Sequence, residues 1–300
     1  MKQSQVRIFA LLAALAVQLL YGLNYTFAKD VMAGGFLDPT AFVIIRVGGA
    51  AILFWIFSFI GPKEKIDKKD YIKFFFAGLF GVAINMLLFI KGLKYTSPIH
   101  ASVIVTITPI LVLIMSAIYL KEKITVLKIV GILLAFVGAI VLTVYGKSSF
   151  EGDNVALGNS LILINVTAYS IYIILIKKLT YKYHPFTFIK WLFLFGLVLV
   201  IPFGYNELIA TDFTRFTSYA YFAVAFVVIG ATFGTYILNP LALKHLKAST
   251  VSIFIYMQPV IAGIFAIIMG SDSLTSVKLI ATVLIFSGVY LVTKKPKLQA

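Results

Sequence analysis

The sequence predicts an all-α integral membrane protein with ten transmembrane helices, arranged as two inverted five-helix repeats. Three observations lead to this prediction. Of the 300 residues, 61% are hydrophobic and only 12% are charged. Ten apolar segments, each about long enough to cross a bilayer, are separated by short polar connections. The second half of the chain repeats the first at a shift of 150 residues.

The composition excludes most other classes of protein. A soluble domain has about 25% charged residues, and the mean hydropathy of +1.02 is too high for a soluble, disordered or fibrous chain. The net charge of +15 would indicate nucleic-acid binding in a soluble protein. Here the basic residues form short runs between apolar segments, which is typical of loops that face anionic lipid. We therefore expect a lipid bilayer, and no nucleic acid, as a partner.

The first half contains five predicted spans. Their length is judged against the roughly 20 helical residues that cross the hydrocarbon core of a bilayer. Span 1 follows Lys2 and Arg7, as a signal peptide would, but it has no small-residue cleavage pattern at its end, so we expect it to be retained. Span 2 ends at the polar sequence GPKEK, residues 61–65. The predicted spans are Arg7–Ala28, Pro39–Ile60, Tyr71–Ile90, Ser97–Leu120 and Val126–Tyr145.

The second half follows a polar connection and contains five further spans of similar length. These are Leu157–Ile176, Pro185–Gly204, Tyr219–Leu243, Ala248–Met269 and Val277–Val292. The predicted domains are a first repeat over residues 1–146, a connecting loop over 147–156 and a second repeat over 157–300.

Basic residues are unequally distributed between the two sides of the predicted bundle. Nineteen Lys and Arg residues fall on the side of the termini and six on the other side, while Arg46 lies within a span. Since cytoplasmic loops carry the excess of basic residues, we expect both termini in the cytoplasm and the protein in the cell membrane, of the bacterial inner-membrane type. Two cytoplasmic termini require an even number of crossings, which ten satisfies.

The internal repeat is clearest between residues 96 and 145. Ten of these fifty positions are identical to the residue 150 positions later, where composition alone gives about four. Pro109 and Pro259 are one such pair, and a slightly smaller shift aligns Tyr21 with Tyr169. Because each half has an odd number of spans, the halves must be inverted relative to each other. Secondary transporters built in this way bind substrate at the repeat interface near the bilayer midplane.

Short motifs in both halves resemble those of a known family. They are YGLNY at residues 21–25, Arg46 in span 2, and the passages from Pro109 to LKEKIT at 120–125 and from Pro259 to GSDSLT at 270–275. With the doubled five-helix unit, they resemble the EamA family of the drug/metabolite transporter superfamily over nearly the whole chain. The resemblance implies a central cavity between the halves, peripheral helices 5 and 10, and export of amino acids or other small metabolites. Two positions depart from the family pattern: Tyr21 replaces the usual Trp, and Leu192 stands opposite Arg46.

Pro109 and Pro259 lie near the middle of spans 4 and 9. Each removes a backbone N–H and frees the carbonyl four residues earlier, and that carbonyl must be satisfied inside the protein or in a hydrated cavity. Such a proline can fix a kink for helix packing or act as a hinge beside a ligand. Its placement in both repeats favours a hinge or gate at the cavity wall.

Polar and aromatic side chains inside the spans form the candidate substrate site. Small-molecule sites place a few hydroxyl and amide groups on aromatic walls. The alternative is that these groups form interhelical hydrogen bonds, worth about 0.6 kcal/mol each. The candidates are Tyr21, Asn24, Asn85, Tyr169, Tyr172, Thr235, Tyr236, Asn239, Tyr256 and Gln258.

Arg46 is the one charged residue clearly inside a span. It can pair with backbone carbonyls, extend its side chain to the membrane surface, or bind a substrate carboxylate through its bidentate guanidinium. Glu122, at the turn between spans 4 and 5, is expected to cap the helix that follows it.

These features predict a secondary transporter, an exporter or exchanger of small metabolites such as amino acids, that works by alternating access. The chain has no cysteine, and its eleven acidic residues lie in loops or at span ends, so we expect no catalytic residue, no metal site and no cofactor. An intramembrane enzyme and a non-transporting membrane scaffold are the alternatives. The expected partners are a small-molecule substrate and the bilayer, and no oligomeric state follows from the sequence.

Overall fold

The computed structural model of the protein describes residues 3–95, 101, 104–144, 154–268 and 275–294. Within these ranges the chain is helical and contains no strand. Eight helices are long and apolar enough to cross a membrane, and two shorter apolar helices, Thr108–Tyr119 and Val126–Val141, lie in predicted spans 4 and 5. The all-helical membrane fold is therefore confirmed. Most of the predicted connecting loop, residues 147–153, lies outside the described ranges.

Helices are numbered here by the span that they occupy, and three of them consist of several segments. In the first half they are helix 1, Gln3–Ala33; helix 2, Pro39–Ser58; helix 3, Tyr71–Gly78, Leu79–Ile84 and Asn85–Tyr95; helix 4, Thr108–Tyr119; and helix 5, Val126–Val144. In the second half they are helix 6, Val155–Leu179; helix 7, Pro185–Ile209; helix 8, Ser218–Val228, Ile229–Gly234 and Thr235–His245; helix 9, Ala248–Ser252, Ile253–Tyr256 and Met257–Ile268; and helix 10, Ser276–Thr293. Short 3₁₀ turns, Lys68–Asp70 and Phe213–Arg215, precede helices 3 and 8.

Side-chain caps fix where several helices begin. Asp38 Oδ1 accepts the Thr40 backbone N–H at 3.0 Å, and Pro39 occupies the first turn of helix 2, where its missing N–H has no intrahelical partner to lose. Asn154 caps helix 6 in the same way, by accepting the Leu157 N–H at 3.0 Å. These caps satisfy backbone donors that a membrane-spanning helix would otherwise leave unpaired.

The two halves pack with the symmetry that the repeat predicts. Helix 1 packs against helices 8 and 9, and helix 6 packs in the equivalent way against helices 3 and 4. Helix 2 packs against helix 7, and helix 5 against helix 10. Helix n of the first half corresponds to helix n + 5 of the second half. When each helix is exchanged for its counterpart, every one of these contacts becomes another of them or stays the same. This pattern is that of a two-fold relation between repeats.

Helices 5 and 10 approach each other through small residues. Gly131 faces Gly288, and Gly138 faces Ala281 at the repeat-related position. A Cβ atom on Gly288 would lie 2.4 Å from the Gly131 carbonyl oxygen and 2.7 Å from the Cβ of Ala135. The two backbones are therefore too close to admit a side chain at this crossing, as in membrane helix pairs that associate through small residues.

Replacing Gly288 with alanine is expected to destabilise the protein by about 1–3 kcal/mol, because the added methyl group overlaps backbone atoms that cannot move aside easily. Gly263→Ala is the matched control, since a Cβ there meets no atom within 4 Å. The midpoint of thermal unfolding in detergent measures both variants. Equal midpoints for the two would show that helices 5 and 10 are not packed this closely.

Candidate functional site

Four tyrosines from helices 1, 6 and 8 meet at the centre of the bundle. The rings of Tyr169 and Tyr172 are 5.7 Å apart between centroids, and those of Tyr172 and Tyr236 are 5.5 Å apart. The Tyr21 hydroxyl faces Tyr169 and Thr235. We call Tyr21, Tyr169, Tyr172 and Tyr236 the tyrosine cluster. Since Tyr21 and Tyr169 are counterparts in the repeat, their contact places the cluster where the two halves meet.

Helical spacing explains how side chains from separate helices reach the cluster. Tyr169 and Tyr172 are three residues apart and therefore lie on one face of helix 6. Thr235 and Asn239 are four residues apart on helix 8, and Asn239 Nδ2 donates to the Tyr169 hydroxyl at 3.3 Å. Tyr236 is buried against Phe193 of helix 7, with ring centroids 4.7 Å apart. Six of the predicted candidates therefore lie together: Tyr21, Tyr169, Tyr172, Thr235, Tyr236 and Asn239.

Helices 3 and 8 each contain a π-helical segment beside this cluster. The segments are Leu79–Ile84 and Ile229–Gly234, which are related by the same 150-residue shift as the repeat. In a π segment the backbone hydrogen bonds join residues five positions apart instead of four, so each turn contains about one more residue. Some backbone carbonyls therefore lose their regular α-helical hydrogen bond. Such segments occur often at functional sites. Their equivalent positions make them a paired feature of the two halves.

One carbonyl of each π segment accepts a hydrogen bond from a side chain in the other half. Arg46 Nη2 donates to the Ala231 carbonyl at 3.3 Å, and the Tyr236 hydroxyl donates to the Gly81 carbonyl. Gly81 and Ala231 are counterparts at the 150-residue shift. The repeat position of Arg46 is Leu192, which cannot donate. Tyr236 therefore supplies in one half the hydrogen bond that Arg46 supplies in the other.

Arg46 is half-buried and has partners on helix 8. Its Nε donates to Thr232 Oγ1 at 2.6 Å, next to the bond to the Ala231 carbonyl. The Thr235 hydroxyl donates to the same carbonyl at 2.9 Å. Within the described part of the chain, Arg46 has no carboxylate within 4 Å. Arg46 therefore pairs with a backbone carbonyl, which is one of the three roles expected from the sequence. No described acidic side chain balances its charge.

Several oxygens of the candidate residues are buried without a hydrogen-bond partner among the described residues. These atoms are Asn24 Oδ1, Tyr172 Oη, Asn239 Oδ1 and Tyr256 Oη. A buried polar atom left unpaired costs about 1–3 kcal/mol, so native proteins keep few of them without a reason. All four belong to residues that the sequence singles out as a substrate site.

The other candidates lie in different surroundings. Asn85 contributes its backbone carbonyl, which accepts from Asn165 Nδ2 at 2.6 Å. Gln258 Nε2 donates to Gln18 Oε1 at 2.7 Å and so joins helix 9 to helix 1. Tyr256 is fully buried, and its ring centroid lies 6.4 Å from that of Phe136 of helix 5. Gln258 is thus an interhelical contact in this conformation.

Pro109 and Pro259 both follow a break in their helix. Span 4 is helical at residues 104–105, turns at residues 106–107 and becomes helical again at Thr108, where helix 4 begins, so Pro109 lies in the first turn of helix 4. Helix 9 passes through a 3₁₀ segment, Ile253–Tyr256, before Met257–Ile268 begins. A proline is tolerated in a first turn, where its missing N–H costs nothing. Spans 4 and 9 are therefore both discontinuous, at equivalent positions in the two repeats. Discontinuous helices of this kind form the substrate sites of many transporters. The Thr108 hydroxyl donates to the freed Val105 carbonyl at 2.7 Å.

Two residues that were not among the predicted candidates are partners in these contacts: Gln18 accepts from Gln258, and Thr232 accepts from Arg46. Gln18 lies one helical turn before Tyr21, and Thr232 lies one turn before Thr235. Their polarity inside an apolar span was the available signal, but the partner of each lies in a distant part of the sequence.

Glu122 joins the two halves on the side of the bundle that carries the termini and most basic residues, which we call the basic side. Its carboxylate accepts the Ala248 backbone N–H at 2.7 Å and the Ser249 hydroxyl at 2.6 Å, at the start of helix 9. Lys128 Nζ lies 3.5 Å from the carboxylate, and both side chains are less than 10% exposed. The expectation that Glu122 caps helix 5 is wrong, because Thr125 caps that helix and Glu122 reaches across to the other repeat.

The end of helix 4 directs Glu122 towards helix 9. Lys121 adopts a left-handed backbone conformation with φ of 54°, and the Glu122 N–H donates to the Ser116 carbonyl at 3.1 Å. The bond joins residues six positions apart and closes a helix-ending turn, in which glycine is the usual residue at the left-handed position. A lysine there is strained by about 1–2 kcal/mol.

A second polar cluster also joins the halves on the basic side. The buried Asp70 carboxylate accepts from the Tyr183 hydroxyl at 2.7 Å and pairs with Lys73 and Lys182. Hydrogen bonds to Asp67 and Asp70 raise the pKa of Lys182 above its ordinary value. The connection between helices 2 and 3 is thereby tied to the connection between helices 6 and 7. Together with Glu122, these contacts join the two halves on the basic side.

Known proteins resemble this chain over nearly its whole length. The model of the EamA-like transporter family matches residues 8–144 and again residues 156–294. An uncharacterized transporter of Archaeoglobus fulgidus is 30% identical over 277 residues, which cover 92% of this chain and 95% of that protein. The uncharacterized transporter YyaM of Bacillus subtilis is 24% identical and covers 89% of this chain and 88% of its own.

More distant similarities agree in fold. A WAT1-related protein of Arabidopsis thaliana is 24% identical, over 78% of this chain and 71% of that protein. A crystal structure of a protein that is 16% identical superposes with a TM-score of 0.78, over 95% of this chain and 98% of the other. At that identity the superposition shows a shared fold.

Proposed function

Since the chain belongs to the EamA-like transporter family and is a multi-pass membrane transporter of the drug/metabolite type, we propose that it exports or exchanges a small amphipathic metabolite such as an amino acid. Substrate binds at the tyrosine cluster, between the two repeats. The basic side faces the cytoplasm of the cell, because cytoplasmic loops carry the excess of Lys and Arg.

The unpartnered oxygens beside the tyrosine cluster carry this proposal. Asn239 Oδ1 can accept from a substrate ammonium group, and the Tyr172 hydroxyl can donate or accept. Arg46 supplies a positive charge that no described carboxylate balances, and its guanidinium suits a substrate carboxylate. The aromatic rings provide an apolar wall for a side chain. This combination of groups matches a zwitterion with an apolar substituent.

The paired breaks in the helices support alternating access. The π segments of helices 3 and 8 and the breaks in helices 4 and 9 lie at equivalent positions in the two repeats. If one repeat rearranges at these points while the other does not, the cluster opens to one side at a time. The Glu122 and Asp70 contacts must separate for the basic side to open.

A thermal-shift screen of the purified protein against amino acids, nucleosides and vitamins tests the site. A specific ligand raises the unfolding temperature by mass action. Failure of every amino acid, with stabilisation by a member of another class, would contradict the proposed substrate class.

Tyr172→Phe tests the role of the cluster in binding. It removes an unpaired hydroxyl but keeps the ring that packs against Gly81. We expect unchanged or higher stability without ligand, and about tenfold weaker binding of the metabolite found in the screen, as for loss of one hydrogen bond. Tyr205→Phe, at an exposed tyrosine of helix 7, is the control that should bind normally. Normal binding by Tyr172→Phe would place the substrate elsewhere.

A further inference from the structure

A cavity of about 260 Å³ lies on the basic side, away from the tyrosine cluster. It is formed by the end of helix 2, the connection that follows, and the first two turns of helix 7. Trp55, Ser58, Lys63 and Lys190 are among the residues that line it. Its position at the ends of two spans places it at the depth of the lipid headgroups.

The cavity presents positive charge. Lys190 Nζ lies 4.8 Å from the centroid of the Trp55 ring and donates to Ser58 Oγ at 3.3 Å. Within the described part of the chain, neither Lys63 nor Lys190 has an ion pair. Lys190 is half-buried near the start of helix 7, and no described carboxylate balances its charge.

One carboxylate borders the cavity, but it is already engaged. Glu64 Oε2 accepts the His184 backbone N–H at 2.8 Å and the Thr187 hydroxyl at 2.6 Å. Glu64 therefore holds the connection against the start of helix 7. Two lysines and one carboxylate leave a net positive site.

We propose that this cavity binds the phosphate headgroup of an anionic phospholipid. Lys63 and Lys190 pair with the phosphate, and the Trp55 indole lies at the polar-to-apolar boundary, where tryptophan is favourable. Phe59, which lines the cavity, and the adjacent Ile60 are each 81% exposed. They provide an apolar surface for the acyl chains, which a soluble phosphate does not need. The site is independent of the transport site.

Tryptophan fluorescence tests this proposal, because the chain has only two tryptophans: Trp55 lines the cavity, and the ring of Trp191 lies 5.1 Å from that of Trp55. The protein is reconstituted in phosphatidylcholine vesicles that contain increasing fractions of brominated phosphatidylglycerol or, separately, brominated phosphatidylcholine. We expect stronger, saturable quenching by brominated phosphatidylglycerol. Lys190→Gln should weaken its apparent binding about fivefold, and the Lys63→Gln/Lys190→Gln double variant should lose the headgroup preference.

Lys178→Gln is the matched control, because Lys178 is exposed on the same side but does not line the cavity. It should keep the wild-type headgroup preference. Equal quenching by the two brominated lipids, or an equal loss in Lys178→Gln and Lys190→Gln, would overturn the proposal. Displacement of the lipid by inorganic phosphate or glycerol phosphate at low concentration would also overturn it, in favour of a soluble ligand. The readout does not depend on transport, so failure of the proposed function leaves this test unaffected.

Discussion

Replacing Glu122 with alanine is expected to open the basic side of the protein. The substitution removes the acceptor of the Ala248 N–H and the Ser249 hydroxyl, and it leaves Lys128 buried without its carboxylate. Removing one partner of a buried ion pair costs about 3–5 kcal/mol. Because these contacts join the two repeats, the cost falls on the conformation in which they are made. The equilibrium should therefore shift towards the opposite conformation by about a hundredfold or more.

Cysteine labelling measures this shift, because the chain has no cysteine of its own. Thr250→Cys places a thiol at a position that is 6% exposed near the start of helix 9. Maleimide applied from the basic side should react at least about tenfold faster with this thiol when Glu122 is alanine. Lys123→Ala, at an exposed neighbouring position, should leave the rate unchanged.

A double variant separates the buried charge from the other contacts. Adding Lys128→Met to Glu122→Ala removes the ammonium group that has lost its carboxylate and fills its space with an apolar side chain, so we expect part of the stability to return. An unchanged labelling rate and an unchanged unfolding temperature in Glu122→Ala would show that this cluster does not hold the halves together.

Arg46→Met is expected to have the second large effect, on stability and on substrate binding together. It removes the hydrogen bonds to Thr232 and to the Ala231 carbonyl. Hydrogen bonds from charged groups contribute about 1.5–3 kcal/mol, although Thr235 still donates to the same carbonyl. Loss of the guanidinium also removes the proposed partner of the substrate carboxylate. We expect about a hundredfold weaker binding of an amino acid, as for loss of a charged hydrogen-bonded pair.

Two comparisons distinguish the roles of Arg46. Thr232→Val removes the hydrogen-bond acceptor and keeps the arginine, so it should lower stability with only a small effect on binding. The corresponding amine, which lacks the carboxylate, should bind wild type and Arg46→Met about equally. If amino acid and amine lose affinity to the same extent, Arg46 acts only by holding the π segment of helix 8.

The membrane fold could be predicted because span length and the internal repeat can both be read from the sequence without knowledge of any contact. The helix ends were less accurate, since side-chain caps and neighbouring backbones decide them. Helix 7 continues past Gly204 to Ile209, although Gly204 itself has a non-helical φ of −143°. The π segments of helices 3 and 8 were not predicted at all. Their residues are as apolar as those of an α-helix, and only the shift of one hydrogen bond distinguishes them.

The candidate site was predictable in its residue types but not in its pairings. Tyr21 and Tyr169 are related by the repeat, and their contact follows from a two-fold axis. The partner of Arg46 could not be read from the sequence, because Thr232 lies 186 residues away. Glu122 shows the same limit, since a short turn suggested a local cap and the structure provides one across the repeat interface. The division into domains at residues 147–156, the compartment of the termini and the roles of the candidate residues remain predictions.

Counterflow in proteoliposomes tests the transporter account most directly. Vesicles are loaded with the unlabelled metabolite that stabilises the protein, and entry of the labelled metabolite is followed from outside. A carrier that exposes the tyrosine cluster to one side at a time should show faster, saturable entry when the inside is loaded. Entry that rises linearly with concentration and does not respond to the internal metabolite would contradict alternating access.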